Sequence, residues 1–166
     1  MFGVEDGVVQ NMTLIAGMAG AALSDSVIVL AGIINAIAGV LSMSMGTYLS
    51  SKAEQDVRIV APHGAQRPSN DELVGSPKRD ALVMAEAYAA GAAVPLVPFF
   101  VGAVSTGVSL AIAVMLTAAT LFGLGAAKAV LSHQSRIRSG LEMLTLASVA
   151  GYSLGFLAQA FFGLDV

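Results

Sequence analysis

The sequence predicts an all-α integral membrane protein with five transmembrane helices, and three observations carry that prediction. Apolar residues fill 56% of the 166 positions and charged residues only 11%, less than half the roughly 25% of a soluble domain. Mean hydropathy is +0.80, and the apolar residues fall in long unbroken runs that a water-soluble chain of this size could not hide. The basic residues, eight in all, are confined to two connections between those runs.

Uncharged stretches of 18, 26, 41 and 22 residues occupy positions 7–24, 26–51, 87–127 and 143–164. A helix rising 1.5 Å per residue needs about 20 apolar residues to cross the hydrocarbon. The longest stretch is therefore two spans, turning at Ser105-Thr106-Gly107. The first reaches full length once residues 2–6 extend it. The reading is one transmembrane domain over 1–166, with spans near 3–23, 27–50, 81–103, 108–130 and 141–162 and a cytoplasmic loop at 51–80. Gly and Ala are frequent in the spans, where small residues let helices approach closely.

Lys52, Arg58, Arg67, Lys78 and Arg79 lie between spans two and three, and Lys128, Arg136 and Arg138 between spans four and five. With five spans these two connections share one face, which the positive-inside rule makes cytoplasmic. The N-terminus is then cytoplasmic and the C-terminus outside. Four or six spans would scatter the basic residues over both faces.

Span one carries a polar stripe, Asp6-Gln10-Thr13-Gly17, whose spacing holds it on one helix face. Span two repeats the spacing in Asn35-Gly39-Ser42-Gly46. Two such faces on adjacent helices describe either a hydrated seam or close packing with amides bonded across it. After span two, residues 52–56 prolong the helix into the cytoplasm. The rest of the loop, with Pro62, Pro68 and Pro77, is irregular apart from one helical turn at Asn70-Asp71-Glu72. Pro95 and Pro98 bend span three. His63 and His133 fall in connections and read as solvated.

No phosphate loop, dinucleotide fingerprint or paired-histidine zinc motif occurs. The chain is read as a non-enzyme with no permanently bound cofactor and no nucleic-acid partner. Without cysteine it has no disulfide or thiolate metal site. Glu5 and Asp6 stand where a signal peptide would place a basic leader, so no cleavable leader is expected.

An ionisable group in hydrocarbon costs about 2.5–3.5 kcal/mol on insertion scales and asks for a reason. If the first hairpin turns at Ser24-Asp25, Asp6 lies level with Met43, and Glu86 re-enters at a similar depth. Two carboxylates and a thioether at one level suit a divalent transition metal, because sulfur disfavours hard ions such as magnesium. The competing reading is that the methionines only pack.

The residues also resemble the vacuolar iron transporter family. The first hairpin carries Asp6-Gly7, Gly17, Gly20, Ala31-Gly32, Ala38-Gly39, Ser42-Met43, Gly46 and Tyr48, then Lys52, Glu54 and Asp56. Further on come Gly91, Pro95-Leu96-Val97-Pro98-Phe99, Lys128, Ser135, Arg138-Ser139-Gly140-Leu141 and Met143. The resemblance implies five spans and a homodimer with the ion path between subunits. It implies export of Fe²⁺ or Mn²⁺ from the cytosol in exchange for protons, with Asp6 and Met43 as the pathway carboxylate and thioether. Metal donors Asp6, Met43 and Glu86, with Gln10, Thr13, Asn35 and Ser42 lining the path, are the expected site. The expected partners are a second copy, the bilayer, the divalent ion and protons.

Two departures stand out. Asn35 occupies the place of a family glutamate, and the 51–80 connection lacks the family's glutamate-rich metal-binding domain. Two alternatives follow: a non-transporting membrane scaffold subunit, or a carrier of another cation or solute on the same fold. A bacterial or archaeal inner membrane is expected rather than a eukaryotic vacuole.

Overall fold

Inside a bilayer no water satisfies backbone N–H and C=O groups, so a spanning chain closes those bonds within helices. A computed structural model describes residues 2–60, 76–100, 105–131, 135 and 137–145. All regular elements among them are helical. They are α1 (Phe2–Gly20), α2 (Asp25–Val60), α3 (Pro77–Ala93), a 3₁₀ turn (Val94–Leu96), α4 (Val97–Phe100) and α5 (Thr106–Leu131). Residues 137–145 form a further helical segment.

Helix α1 ends in a hydrogen-bonded reversal. Leu23 N–H donates to the Met18 carbonyl (3.2 Å) and Ala22 N–H to that of Ala19 (3.0 Å). Ala22 takes φ 56°, the left-handed position that glycine usually fills in this motif. Ser24 then starts α2, its carbonyl accepting from Val27 (3.0 Å) and Ile28 (3.1 Å). The chain reverses over residues 21–24, slightly ahead of the turn expected at Ser24-Asp25, because Asp25 is already helical.

Helix α2 runs 36 residues, about 54 Å at 1.5 Å per residue against a hydrocarbon core of about 30 Å. It therefore continues past the apolar segment through 52–56, as expected, and on to Val60. Its apolar side chains Leu30, Ile34, Ile37, Leu41 and Leu49 are exposed, a face suited to lipid.

Helix α3 begins at Pro77, four residues before the expected start. Proline at the first helical position loses nothing, since its missing N–H would have had no helical partner. Asp80 adds an acid in the first turn, where it complements the helix dipole. Pro95 cannot donate and crowds the carbonyl four residues back, so the α-helix passes into the 3₁₀ turn and resumes as α4. The expected bend at Pro95 and Pro98 takes the form of this change of helix type. Val94 and Val97 both keep right-handed helical dihedrals, so the chain continues onward. Helix α5 starts at Thr106, capped by the Ser105 carbonyl, which accepts from Val108 (2.9 Å) and Ser109 (3.0 Å). The turn expected at Ser105-Thr106-Gly107 thus lies ahead of Thr106, because Thr106 and Gly107 are already helical.

Among the described residues, three helical stretches are long and apolar enough to cross a membrane: Asp25–Val57, Pro77–Phe100 and Thr106–Val130. The chain is an integral membrane protein. The first of the five expected spans appears as a 19-residue helix, but Glu5, Asp6, Gln10 and Asn11 make it more polar than those three. Most of the expected fifth span, the Asn70-Asp71-Glu72 turn, His63 and His133 lie outside the described residues.

The packing has a centre that the sequence order does not suggest. Helix α3 packs against both α1 and α2, more extensively than those two pack against each other. A methyl on Gly91 would land on the Val4 backbone, and one on Gly7 on the backbone of Tyr88 and Ala92. Backbone touches backbone there, which only small residues permit. Ile15, Ile28, Leu96, Phe99 and Ala113 form the apolar core beside this junction, with Leu96 seated over Gly32. At the far end of α5, Gly125 faces Ser139 and Gly140, and the Phe122 ring covers Gly140. The helical segment 137–145 closes on α5 through these glycines.

Candidate functional site

The buried face of α1 is Gly3, Gly7, Val8, Asn11 and Ile15. The predicted stripe Asp6-Gln10-Thr13-Gly17 runs along its flank, one residue and about 100° around from Gly7. Asp6 and Thr13 are half-buried, and Gln10 and Gly17 are exposed. The stripe therefore borders the three-helix junction rather than filling it.

At the junction four side chains form one hydrogen-bonded chain. The Tyr88 hydroxyl on α3 donates to Gln10 Oε1 on α1. Gln10 Nε2 donates to Asn35 Oδ1 on α2 at 3.4 Å, and Asn35 Nδ2 to Asn11 Oδ1 at 3.2 Å. Asn11 Nδ2 donates to the Ala92 carbonyl on α3 at 2.7 Å. Asn11 and Tyr88 are fully buried. The Ala92 carbonyl lies four residues before Leu96, next to the proline-broken segment. The Tyr88 ring fits because position 39 is glycine; a methyl there would overlap its hydroxyl and ring. Buried amides without partners are expensive, and this chain pairs each of them.

Asp6, one turn before Gln10, lies within electrostatic reach of Tyr88. Met43, half-buried on α2, stands one turn from Thr47, whose hydroxyl donates to the Met43 carbonyl at 2.8 Å. Two observations bracket the α1–α2 register. Gly3 and Thr47 line one cavity near the starts of α1 and α3, and Gln10 bonds Asn35 further along. Asp6 and Met43 fall between these two levels on their respective helices.

Glu86 is exposed. It sits two residues from buried Tyr88, about 200° around α3, and so points away from the junction. Ser42 is exposed as well, and the Thr13 hydroxyl is taken up within its own helix by the Val9 carbonyl at 2.8 Å. Among the described residues no group of three or more His, Cys, Asp or Glu is placed to hold a metal ion. Of the seven predicted residues, the junction thus bonds Gln10 to Asn35 directly and leaves Asp6 and Met43 beside it.

Sequence reading missed Asn11 and Tyr88. Asn11 carried a signal, since an amide within a spanning segment is costly and needs partners. Tyr88 carried less, because a tyrosine near a membrane interface is ordinary. At the opposite end of the hairpin, Thr106 Oγ1 donates to Asp25 Oδ1 at 2.6 Å and ties α5 to the start of α2.

A model of the VIT family matches residues 1–61 and 56–157. The match divides at the end of α2. Vacuolar iron transporter 1 of Arabidopsis thaliana is 36% identical over 91 residues, covering 54% of this chain and 34% of that protein. Vacuolar iron transporter 1 of Eucalyptus grandis is 26% identical over 210 positions, covering 96% of this chain and 84% of the relative. Vacuolar iron transporter homolog 2 of Oryza sativa subsp. japonica is 26% identical over 177 positions, covering all of this chain and 93% of the relative. The Eucalyptus alignment runs over 210 positions against 96% of this chain, so that relative carries residues with no counterpart here. The rice alignment runs over fewer positions. These relatives are plant proteins with vacuolar names, so the expected bacterial or archaeal inner membrane finds no support in them.

Proposed function

Because the chain belongs to the VIT family, a transporter family rather than an enzymatic one, we propose that it carries a divalent transition-metal ion, Fe²⁺ or Mn²⁺, out of the cytosol. The observation that carries this reading is the family match across residues 1–157, joined by relatives named for iron transport along nearly the whole chain. The membrane arrangement proposed with it is five spans, the N-terminus cytoplasmic and the C-terminus outside, on the strength of the basic-residue placement.

In this reading Asp6 and Met43 hold the ion. The carboxylate supplies charge, and the thioether favours softer ions over magnesium. One subunit offers too few donors to replace an ion's water shell. The path therefore lies between two copies, where symmetry doubles both groups. The exposed stripe of Gln10 and Gly17, with Ser42 on α2, is the surface such a pairing would use. Glu86 joins the site only where the second copy faces it. Asp6 alternates between metal-bound and protonated forms, which couples outward metal movement to inward protons.

The test is Fe²⁺ or Mn²⁺ uptake into proteoliposomes containing the purified protein. Asp6→Ala and Met43→Ala are each expected to abolish uptake. Unchanged uptake in both would remove this mechanism. The residues of the Eucalyptus relative that have no counterpart here favour a second reading, a membrane subunit that does not transport by itself. Metal flux from the purified protein alone would exclude it.

A further inference from the structure

A cavity of about 470 Å³ opens where α1 and α3 begin and α2 leaves the apolar segment. Its volume lies within the roughly 300–1,000 Å³ range of small-ligand pockets. Phe2, Val83, Met84 and Ala87 make most of its wall, and the consecutive residues Arg79 and Asp80 bring one charge of each sign to it. Phe2 and Val83 are exposed, so the apolar wall opens sideways toward the bilayer. Arg79 makes no ion pair or hydrogen bond among the described residues. Asp80 Oδ2 accepts from the Ser51 hydroxyl at 3.0 Å, and its second oxygen has no partner among them.

The pairing of charges selects the ligand. A bare divalent cation would be repelled by Arg79, and a simple anion by Asp80. A guanidinium forks onto phosphate oxygens, and a carboxylate beside it accepts from an ammonium group. One headgroup carries both groups a two-carbon link apart, above chains that match an apolar lateral opening. Arg79 and Asp80 also stand in the first turn of a spanning helix, at the depth where headgroups lie. We propose that this cavity binds one molecule of phosphatidylethanolamine, with its phosphate on Arg79, its ammonium on Asp80 and its chains along Phe2 and Val83. The bound lipid bridges the start of α1 to the start of α3. The inference needs only membrane insertion and stands whether or not the chain moves metal.

The experiment is native mass spectrometry of the full-length protein in detergent, titrated with phosphatidylethanolamine, phosphatidylglycerol or inorganic phosphate. The wild type is expected to retain phosphatidylethanolamine about tenfold better than phosphatidylglycerol, the fold-change that one charge-assisted bond supplies. Arg79→Gln is expected to lose retention of both lipids. Asp80→Asn, which can still accept from Ser51, is expected to keep phosphatidylglycerol and lose the preference for the amine. Equal retention of the two lipids by the wild type, or undiminished retention by Arg79→Gln, would overturn the proposal. Displacement of the lipid by millimolar phosphate would also overturn it, by marking a simple anion site.

Discussion

The three-helix junction and the inward face of α5 bury polar groups in opposite ways. At the junction, Tyr88, Gln10, Asn35 and Asn11 form a continuous chain ending on the Ala92 carbonyl. On α5, Ser109, Ala113, Thr117, Leu121, Gly125 and Ala129 face inward at every fourth position. There Ser109 Oγ and Thr117 Oγ1 are buried with no partner among the described residues. The difference lies in reach. Amides and a phenol on three converging helices extend far enough to find one another. Hydroxyls on one helix stay close to their own backbone and act mainly as small residues that let α5 approach. The junction is held by specific bonds, and the α5 face by size.

Gly91→Ala should break the comparison most strongly. The added methyl meets the Val4 backbone, which cannot swing aside as a side chain can. A loss of about 3 kcal/mol is expected, seen as a large fall in the thermal midpoint in detergent. Asn11→Ala should come next. It strands the Asn35 amide and the Ala92 carbonyl, at a cost of about 2 kcal/mol by the same measurement. Tyr88→Phe keeps the ring against Gly39 and removes one donor, for a loss of about 1 kcal/mol. The smallest effect belongs to α5. Ser109→Ala and Thr117→Val should change the midpoint by no more than about 0.5 kcal/mol in equivalent stability, or raise it, since neither removes a bond made in the structure. A loss from Ser109→Ala as large as that from Asn11→Ala would erase the distinction between the two regions.

Much of this was legible in the sequence because it depends on local chemistry. The starts of α2 and α5 followed from the turn residues Ser24 and Ser105, whereas α3 begins at Pro77, four residues ahead of the expected start. The extension of α2 beyond position 51 followed from its helix-forming polar residues, and the break in α3 from Pro95. The pairing of Gln10 with Asn35 was half visible, since the two polar stripes shared one spacing on adjacent helices. The place of α3 was not visible. The hairpin α1–α2 reads as the natural pair because the two are adjacent in sequence and joined by a short turn. Gly7, Gly39 and Gly91 instead admit α3 against both, and nothing local announces which partner a glycine will face. Glu86 illustrates the same gap. Its depth could be judged from its position along the chain, but its direction depends on how α3 is rotated once Tyr88 is seated.

By itself, then, the sequence determined that this chain lies in a membrane, roughly where its helices lie and break, and which side chains must justify their presence in hydrocarbon. Run length, caps and charge placement decide those matters one helix at a time. Only the tertiary structure decided that Tyr88 and Asn11 complete the polar chain, that Asp6 lies within electrostatic reach of Tyr88, and that Glu86 turns away. Those outcomes depend on the rotation and approach of three helices together. In a medium where most of every helix surface is equally apolar, small contacts between glycines set that approach.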